Sequence, residues 1–283
     1  MIFIIAAVLA LVIASYTDIK TREVPDWLNY SLIIFGLGGR LMYSLASFDW
    51  SYIIQGIAGF IAFLVVALIM FYMGQWGGGD SKMLMGLGAT IGLKLTYDSF
   101  LLGFIINILL AGAVYGLIYS LVLAILNKKK FLKRVKVLMT EKSISLVRKI
   151  ILILMLILVG IIILVHDPIL KLLFGTLLLM VPLTFYIWIF VKSIENIVML
   201  KYVTPDKLTE GDWIPNKITI DGNYICGPKD LGIDKKQIQK LIAFYKRGKI
   251  KKILVKYGIP FVPSFLIGFI LSLLGFNPIL LFL

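Results

Sequence analysis

Two aspartates stand where acids are costly. Asp18 closes the first apolar run, in ALVIASYTDIKTREVPDWLN, and Asp80 follows a glycine run, in FYMGQWGGGDSKMLMGLG. An ionisable side chain at the boundary of a hydrocarbon layer reads first as a functional group. Two carboxylates that meet at one depth share a proton, because adjacent negative charges cannot both form readily. The ionised member can draw a proton from water while the protonated member polarises a peptide carbonyl. That is aspartyl proteolysis, with neither a metal nor a covalent intermediate. Each acid also has a plain structural reading. Asp18 can be an interfacial acid paired with Lys20 or Arg22, and Asp80 can N-cap the helix that follows it.

The neighbours of Asp80 sharpen its reading. Gly77, Gly78 and Gly79 are poor helix formers, each costing about 1 kcal/mol relative to alanine. Without side chains they offer a strip against which an extended peptide backbone can lie. Lys82 is either a snorkelling anchor or a charge that adjusts the aspartate. A helix-start position favours the ionised form of Asp80, which makes Asp18 the expected keeper of the shared proton.

The elements that must hold these acids are membrane helices. The 283 residues are 60% hydrophobic and 16% charged, far from the balance of a soluble domain. The apolar runs are long and continuous, as helices rather than barrel strands require. Eight spans are expected, at 1–17, 27–45, 51–73, 83–97, 99–126, 149–166, 169–191 and 260–282. The fourth is short and carries Gly86, Gly88 and Gly92, so it is expected to pack inside the bundle. The first is read as a retained helix. With the N-terminus outside, 26 of the 29 Lys and Arg residues fall on the inner side; the exceptions are Arg40, Lys94 and Lys171. The positive-inside rule thus gives a multi-pass protein of the cell membrane. The charge tally ignores both aspartates, yet it puts Asp18 and Asp80 on the same cytoplasmic side.

The fold class expected is an all-α polytopic membrane helix bundle (six to eight transmembrane helices, predicted eight) with a small α+β cytoplasmic domain. The chain divides into an N-terminal membrane catalytic core (1–126), a basic cytoplasmic loop (127–148), additional membrane helices (149–196), the small cytoplasmic domain (197–257) and a C-terminal membrane helix (258–283). Turn residues at Thr204-Pro205-Asp206 and Asp221-Gly222-Asn223 flank β-prone runs at 217–220 and 223–226, and Asp234 opens a helix over 234–247. A module of this size is marginal alone, so it is expected to rest on the membrane bundle.

These residues resemble the type IV prepilin peptidases, and most closely their archaeal branch, which includes the preflagellin (archaellin) peptidases. The likeness rests on Gly77-Gly78-Gly79-Asp80, a G-x-G-D, with Lys82 in the D-x-K position. It rests also on Asp18 followed by a basic stretch and Val-Pro-Asp, on Glu210-Gly211-Asp212, and on Gly258-Ile259-Pro260-Phe261-Val262-Pro263. The resemblance implies a GxGD aspartyl membrane protease that removes a short basic leader from preflagellin or type IV prepilin-like precursors at the cytoplasmic face. Asp18 and Asp80 would be the catalytic pair, Gly77, Gly78 and Gly79 the motif loop, and Lys82 a possible substrate contact. Bacterial relatives often carry a cysteine-rich zinc loop and N-methylate the new terminus. The single cysteine, Cys226, cannot build that loop, so peptidase activity without methyltransferase activity is expected, with no metal and no cofactor. The spans at 149–191 are additional to the shortest archaeal members.

Other residues read as structural. His166-Asp167-Pro168 is a tight outer turn, and Cys226 is a packed small side chain. Pro260 and Pro263 either kink the last span or stop the preceding segment, or form irregular backbone that helps hold an extended substrate. Trp27, Trp50, Trp76 and Trp188 read as an interfacial belt. The KKKFLKRVK run at 128–136 suits anionic lipid; it lacks interleaved aromatics, so membrane lipid and precursor proteins are the expected partners and nucleic acid is not. A cation-coupled small transporter, expected to carry acids near the midplane, and a non-catalytic membrane scaffold are the alternatives.

Overall fold

The computed structural model of the protein describes residues 1–94, 96 and 99–278. Leu95, Tyr97, Asp98 and residues 279–283, where the fourth and eighth expected spans close, lie outside the described residues. Eight helices answer the eight expected spans: α1 (Ile2–Thr21), α2 (Asp26–Ser47), α3 (Ser51–Tyr72), α4 (Gly78–Ile91), α5 (Phe100–Leu126), and, past α6 (Lys128–Thr140), α7 (Lys142–Leu164), α8 (Pro168–Ile194) and, near the C-terminus, α10 (Val262–Leu273). Among the described residues, five are long and apolar enough to cross a membrane: α1, α3, α5, α7, and α8 with its continuation to Met199. The protein is a polytopic helical membrane protein with a small α+β portion. Helix α10 is apolar but has only 12 residues. Helix α4 falls short too, for the reason its glycines suggest. It is walled in, with Met83, Leu84, Leu87, Ala89 and Thr90 all fully buried.

That burial depends on close backbone contact. A Cβ at Gly59 of α3 would lie 2.3 Å from the Gly88 carbonyl oxygen, and one at Gly88 would lie 2.3 Å from the Gly59 oxygen. A Cβ at Gly36 of α2 would meet the Thr90 backbone at 2.7 Å. Small residues let three helices pack backbone to backbone where lipid gives no hydrophobic drive. The far end of α4 is held by Arg40, buried in α2. Its guanidinium donates to the carbonyls of Thr90, Ile91 and Tyr52, so a cation sits on the negative end of α4. This accounts for one basic residue that departs from the positive-inside tally.

The chain forms two compact units, one of residues 1–118 with 202–283 and one of residues 119–201. In the first unit the membrane core centres on Ala7, Leu11, Met83, Leu87, Phe104 and Phe265. The α+β portion follows β1 (Leu200–Val203). Strands β2 (Ile218–Ile220) and β3 (Asn223–Cys226) pair antiparallel across Asp221 and Gly222, both at positive φ, as a two-residue hairpin turn requires. Helix α9 (Lys235–Lys246) opens on a reciprocal Asp234–Gln237 cap, and β4 (Ile253–Lys256) turns Ile253 and Val255 inward. The core there is Ile214, Ile225, Cys226, Ile233, Leu241 and Val255, so Cys226 is packing, as its type suggests.

In the second unit the segment expected as a basic loop, 127–148, is helical. Its spacing puts Val135, Leu138 and Met139 on one face, against Ile144 of α7 and Phe185 and Ile189 of α8, and leaves lysines on the other. An amphipathic stripe of this kind favours a helix at a surface over a loop.

The glycine contacts of α4 make a specific demand. Gly88→Val is expected to cost roughly 1–3 kcal/mol or more by overpacking, read as a lower melting temperature in detergent by intrinsic fluorescence. Gly116→Val, whose Cβ meets nothing within 4 Å, is expected to leave the melting temperature unchanged.

Candidate active site

Helix α1 ends one turn after Asp18, where Arg22 takes a left-handed conformation (φ 63°) and its N–H donates to the Asp18 carbonyl. The Asp18 side chain is only 4% exposed. Its Oδ2 accepts the backbone N–H of Val262 at 2.9 Å. Val262 is the first residue of α10, and the first N–H groups of a helix have no partner within it. They also carry the positive end of its dipole. Arg22 donates from its guanidinium to the Gly258 carbonyl. Residues 258–262 are therefore fastened at both ends to the close of α1.

A hydrophobic clamp seats the same strip. Trp76, 6% exposed, packs its ring 5.7 Å from Phe261 and 5.2 Å edge-to-face from Phe265. Gly112 of α5 makes room, since a Cβ there would lie 2.5 Å from the Phe261 ring. Trp76 is thus a core residue and not part of an interfacial belt, whereas Trp27 and Trp50 remain more than half exposed. Irregular backbone around Pro260 reaches an aspartate through Val262, and Pro263 stands in the first turn of α10.

Asp80 is the third residue of α4, not its N-cap. The cap position is Gly77, extended at φ −73°, ψ 168°, and the Asp80 Oδ2 reaches back to accept the Gly77 N–H at 3.0 Å. Gly78 and Gly79 form the first helical turn, where glycine costs little because backbone bonding is incomplete anyway. Gly79 has a spatial reason: a Cβ would sit 3.2 Å from the Cβ of Val24 and 3.3 Å from its nitrogen. Its carbonyl accepts from the amide of the fully buried Asn29 at 3.3 Å. Gly77 and Gly78 remain exposed, an open glycine edge beside the acid.

The two acids come within electrostatic reach of one another. Burial, and then the neighbouring Asp18 charge, push the Asp80 carboxyl up to about 7, against the opposing pull of the Gly77 N–H. The helix-start bond from Gly77 favours the ionised form of Asp80, as expected, while burial and the Asp18 charge favour the protonated one. The helix-start bond exists, but desolvation and like-charge repulsion outweigh it. The Asp80 carboxyl is hemmed in by protein, yet the residue keeps some surface open to water.

Lys82 stands apart from this pair. Its Nζ binds Asp26 at 2.6 Å and lies 5.3 Å from the Tyr30 ring centre, so its charge is met by the aspartate of Val-Pro-Asp. The Glu210-Gly211-Asp212 motif is a turn: Asp212 accepts the Thr209 N–H at 2.8 Å, and Glu210 faces Lys235 at 3.4 Å. Beyond it, the Trp213 ring covers Gly74 (φ 67°), in the bend that leads to Asp80. Among the described residues, no group of three or more His, Cys, Asp or Glu side chains could hold a metal ion. Sequence reasoning missed Asn29, Trp76 and Arg22 as supports. An asparagine inside an apolar run was the available signal, since a buried amide needs a partner.

Residues 5–127 match the model of the Type IV leader peptidase family. Among curated proteins, the chain is 45% identical over 91 residues to a preflagellin peptidase of Methanocaldococcus jannaschii, covering 32% of this chain and 38% of that one. It is 40% identical over 91 residues to a preflagellin peptidase of Methanococcus maripaludis (32% and 39%). It is 39% identical over 83 residues to that of Methanococcus voltae (29% and 35%). The matched stretch therefore spans less than two-fifths of each relative. No solved structure matches. The resemblance read from the two aspartate contexts is borne out: over residues 5–127 this chain is similar to the type IV leader peptidases, and to preflagellin peptidases among them.

Proposed function

We propose that this protein is an aspartyl endopeptidase that removes the short basic leader from preflagellin or type IV prepilin-like precursors at the cytoplasmic face of the cell membrane. The carrying observation is the coupling of Asp18 and Asp80 inside the stretch similar to leader peptidases. Asp80 is the acid and Asp18 the base. A water between them gives a proton to Asp18 as its oxygen attacks the scissile carbonyl carbon, while Asp80 gives its proton to the carbonyl oxygen. The tetrahedral diol then collapses: Asp18 returns its proton to the leaving nitrogen, the C–N bond breaks, and Asp80 recovers a proton from the diol. The pair shares its titration, and each step leaves it with one proton.

The exposed glycine edge at Gly77 and Gly78 suits an extended precursor backbone, and Lys82, paired with Asp26 of α2, is a further contact for it near the same start of α4. The N-terminus is outside and the reaction cytoplasmic, a reading supported by the distribution of Lys and Arg. No cofactor or metal takes part, and the new terminus is not N-methylated. Precursor proteins and membrane lipid are the partners.

The test is incubation of membranes containing this protein with tagged preflagellin and prepilin, read as a gel shift. Asp18→Asn and Asp80→Asn are each expected to lower cleavage by about 10²–10⁴-fold with unchanged folded yield; appreciable cleavage by either refutes the pair. Because Asp80 titrates at about 7, its protonated form is lost above that pH. The cleavage rate is expected to fall on the alkaline side, approaching tenfold per pH unit, and a rate that climbs steadily to pH 9 contradicts Asp80 as the acid. Trp76→Ala removes the clamp on residues 258–262 and is expected to destabilise the protein by about 3–5 kcal/mol, with Trp76→Phe recovering most of the loss in a thermal melt.

A further inference from the structure

The second compact unit carries a groove that the proposed reaction does not use. It has a volume of about 490 Å³ and lies between α7 and α8. Its floor is Ile144 and Phe185, both buried. Its walls are Val147 and Ile151 of α7 and Val181 and Trp188 of α8, with Ser143 at one end. Pro182, inside α8 beside Val181, removes an N–H from the helix ladder at the wall. Both helices are long and apolar enough to cross a membrane, and little of either is buried within the protein. An apolar furrow on such a hairpin faces hydrocarbon, and an unfilled one forfeits contacts on its lining.

The chain adjoining this groove is strongly cationic. Residues 128–149 hold nine Lys and Arg side chains and a single acid, Glu141. Arg148 falls on the stripe of α7 that carries Ile144 and Ile151, by three- and four-residue spacing, and Lys142 adjoins Ser143. Helix α6, packed on the same ends of α7 and α8 through Leu138 and Met139, adds its lysines. Arg134 has only a long contact to Glu141, 3.8 Å, and its buried Nε–H finds no acceptor among the described residues. We propose that this groove is a binding site for an anionic phospholipid, with one acyl chain between α7 and α8 and the headgroup phosphate against Arg148 and Lys142. The charge selects the lipid. A zwitterionic headgroup brings its own cation to a collar already rich in cations, whereas an anionic one supplies the missing charge.

Trp188 in the groove wall makes the site measurable. The full-length protein is reconstituted in phosphatidylcholine vesicles containing increasing fractions of chain-brominated phosphatidylglycerol or chain-brominated phosphatidylcholine. The signal is the fluorescence of the protein minus that of its Trp188→Phe variant. Half-quenching is expected at a roughly fivefold lower fraction of the anionic lipid, the preference one Lys or Arg gives beside an anionic surface. The pair Lys142→Gln with Arg148→Gln is expected to abolish that preference with helical circular dichroism unchanged, while Arg148→Lys keeps it. Equal quenching by the two lipids, or a preference that survives the double variant, overturns the proposal. Absence of quenching by either lipid shows the groove filled by protein and overturns it as well.

Discussion

A carboxylate withdrawn from water needs donors, and two such carboxylates side by side need a proton between them. The arrangement around Asp18 and Asp80 follows from that constraint. Each acid takes a backbone N–H at the start of a helix: Asp18 from Val262 at the head of α10, and Asp80 from Gly77 at the head of α4. Backbone donors add no countercharge, unlike a lysine or arginine in direct ion-pair contact. Burial, and then the Asp18 charge, raise the Asp80 carboxyl to about 7. Lys82, the nearest cation in sequence, is drawn off by Asp26. A full ion pair at Asp80 would hold it ionised and leave the proposed reaction without its acid.

The positions of the two helix starts are in turn set by packing. Gly88 against Gly59, and Gly36 against Thr90, fix α4 between α2 and α3 at backbone contact. Arg40 closes its far end, and Asn29 and Val24 meet Gly79 at its near end. Such a helix has little freedom to slide, because its neighbours have no side chains to repack along these lines.

Much of this was legible in the sequence, and the failures have physical reasons. Helix existence followed from apolar run length, which lipid enforces strictly. The hairpin at Asp221-Gly222 and the cap at Asp234 followed from residue types that suit only a few backbone conformations. Loop charge alone puts Asp18 and Asp80 on one side. What periodicity did not give was the partner of each polar side chain. Trp76 reads as a belt residue because indole suits both an interface and a core, and only Phe261 and Phe265, almost two hundred residues away, decide between them. The helix-start effect on Asp80 is visible in sequence, while the burial that opposes it is a property of the fold. The basic run at 128–136 reads as a loop in sequence because its charge masks the apolar stripe of the helix.

The matched stretch of 5–127 does not by itself complete the site. Val262, Phe261 and Gly258, which bind Asp18, Trp76 and Arg22, lie beyond it, and they follow directly from β4. That strand is tied through the Lys256 N–H to the carbonyl of Trp213, whose ring covers Gly74 in the bend before Asp80. The α+β portion thus touches the approach to one acid through Trp213 and the other acid through the strip after β4. Its small core, closed by Ile225, Cys226, Leu241 and Val255, fixes the spacing between those two contacts. A portion of this size makes a marginal domain alone, and membership of the same compact unit as residues 1–118 gives it the surface it lacks. The two acids gain in return a common brace that no segment of the first 127 residues supplies.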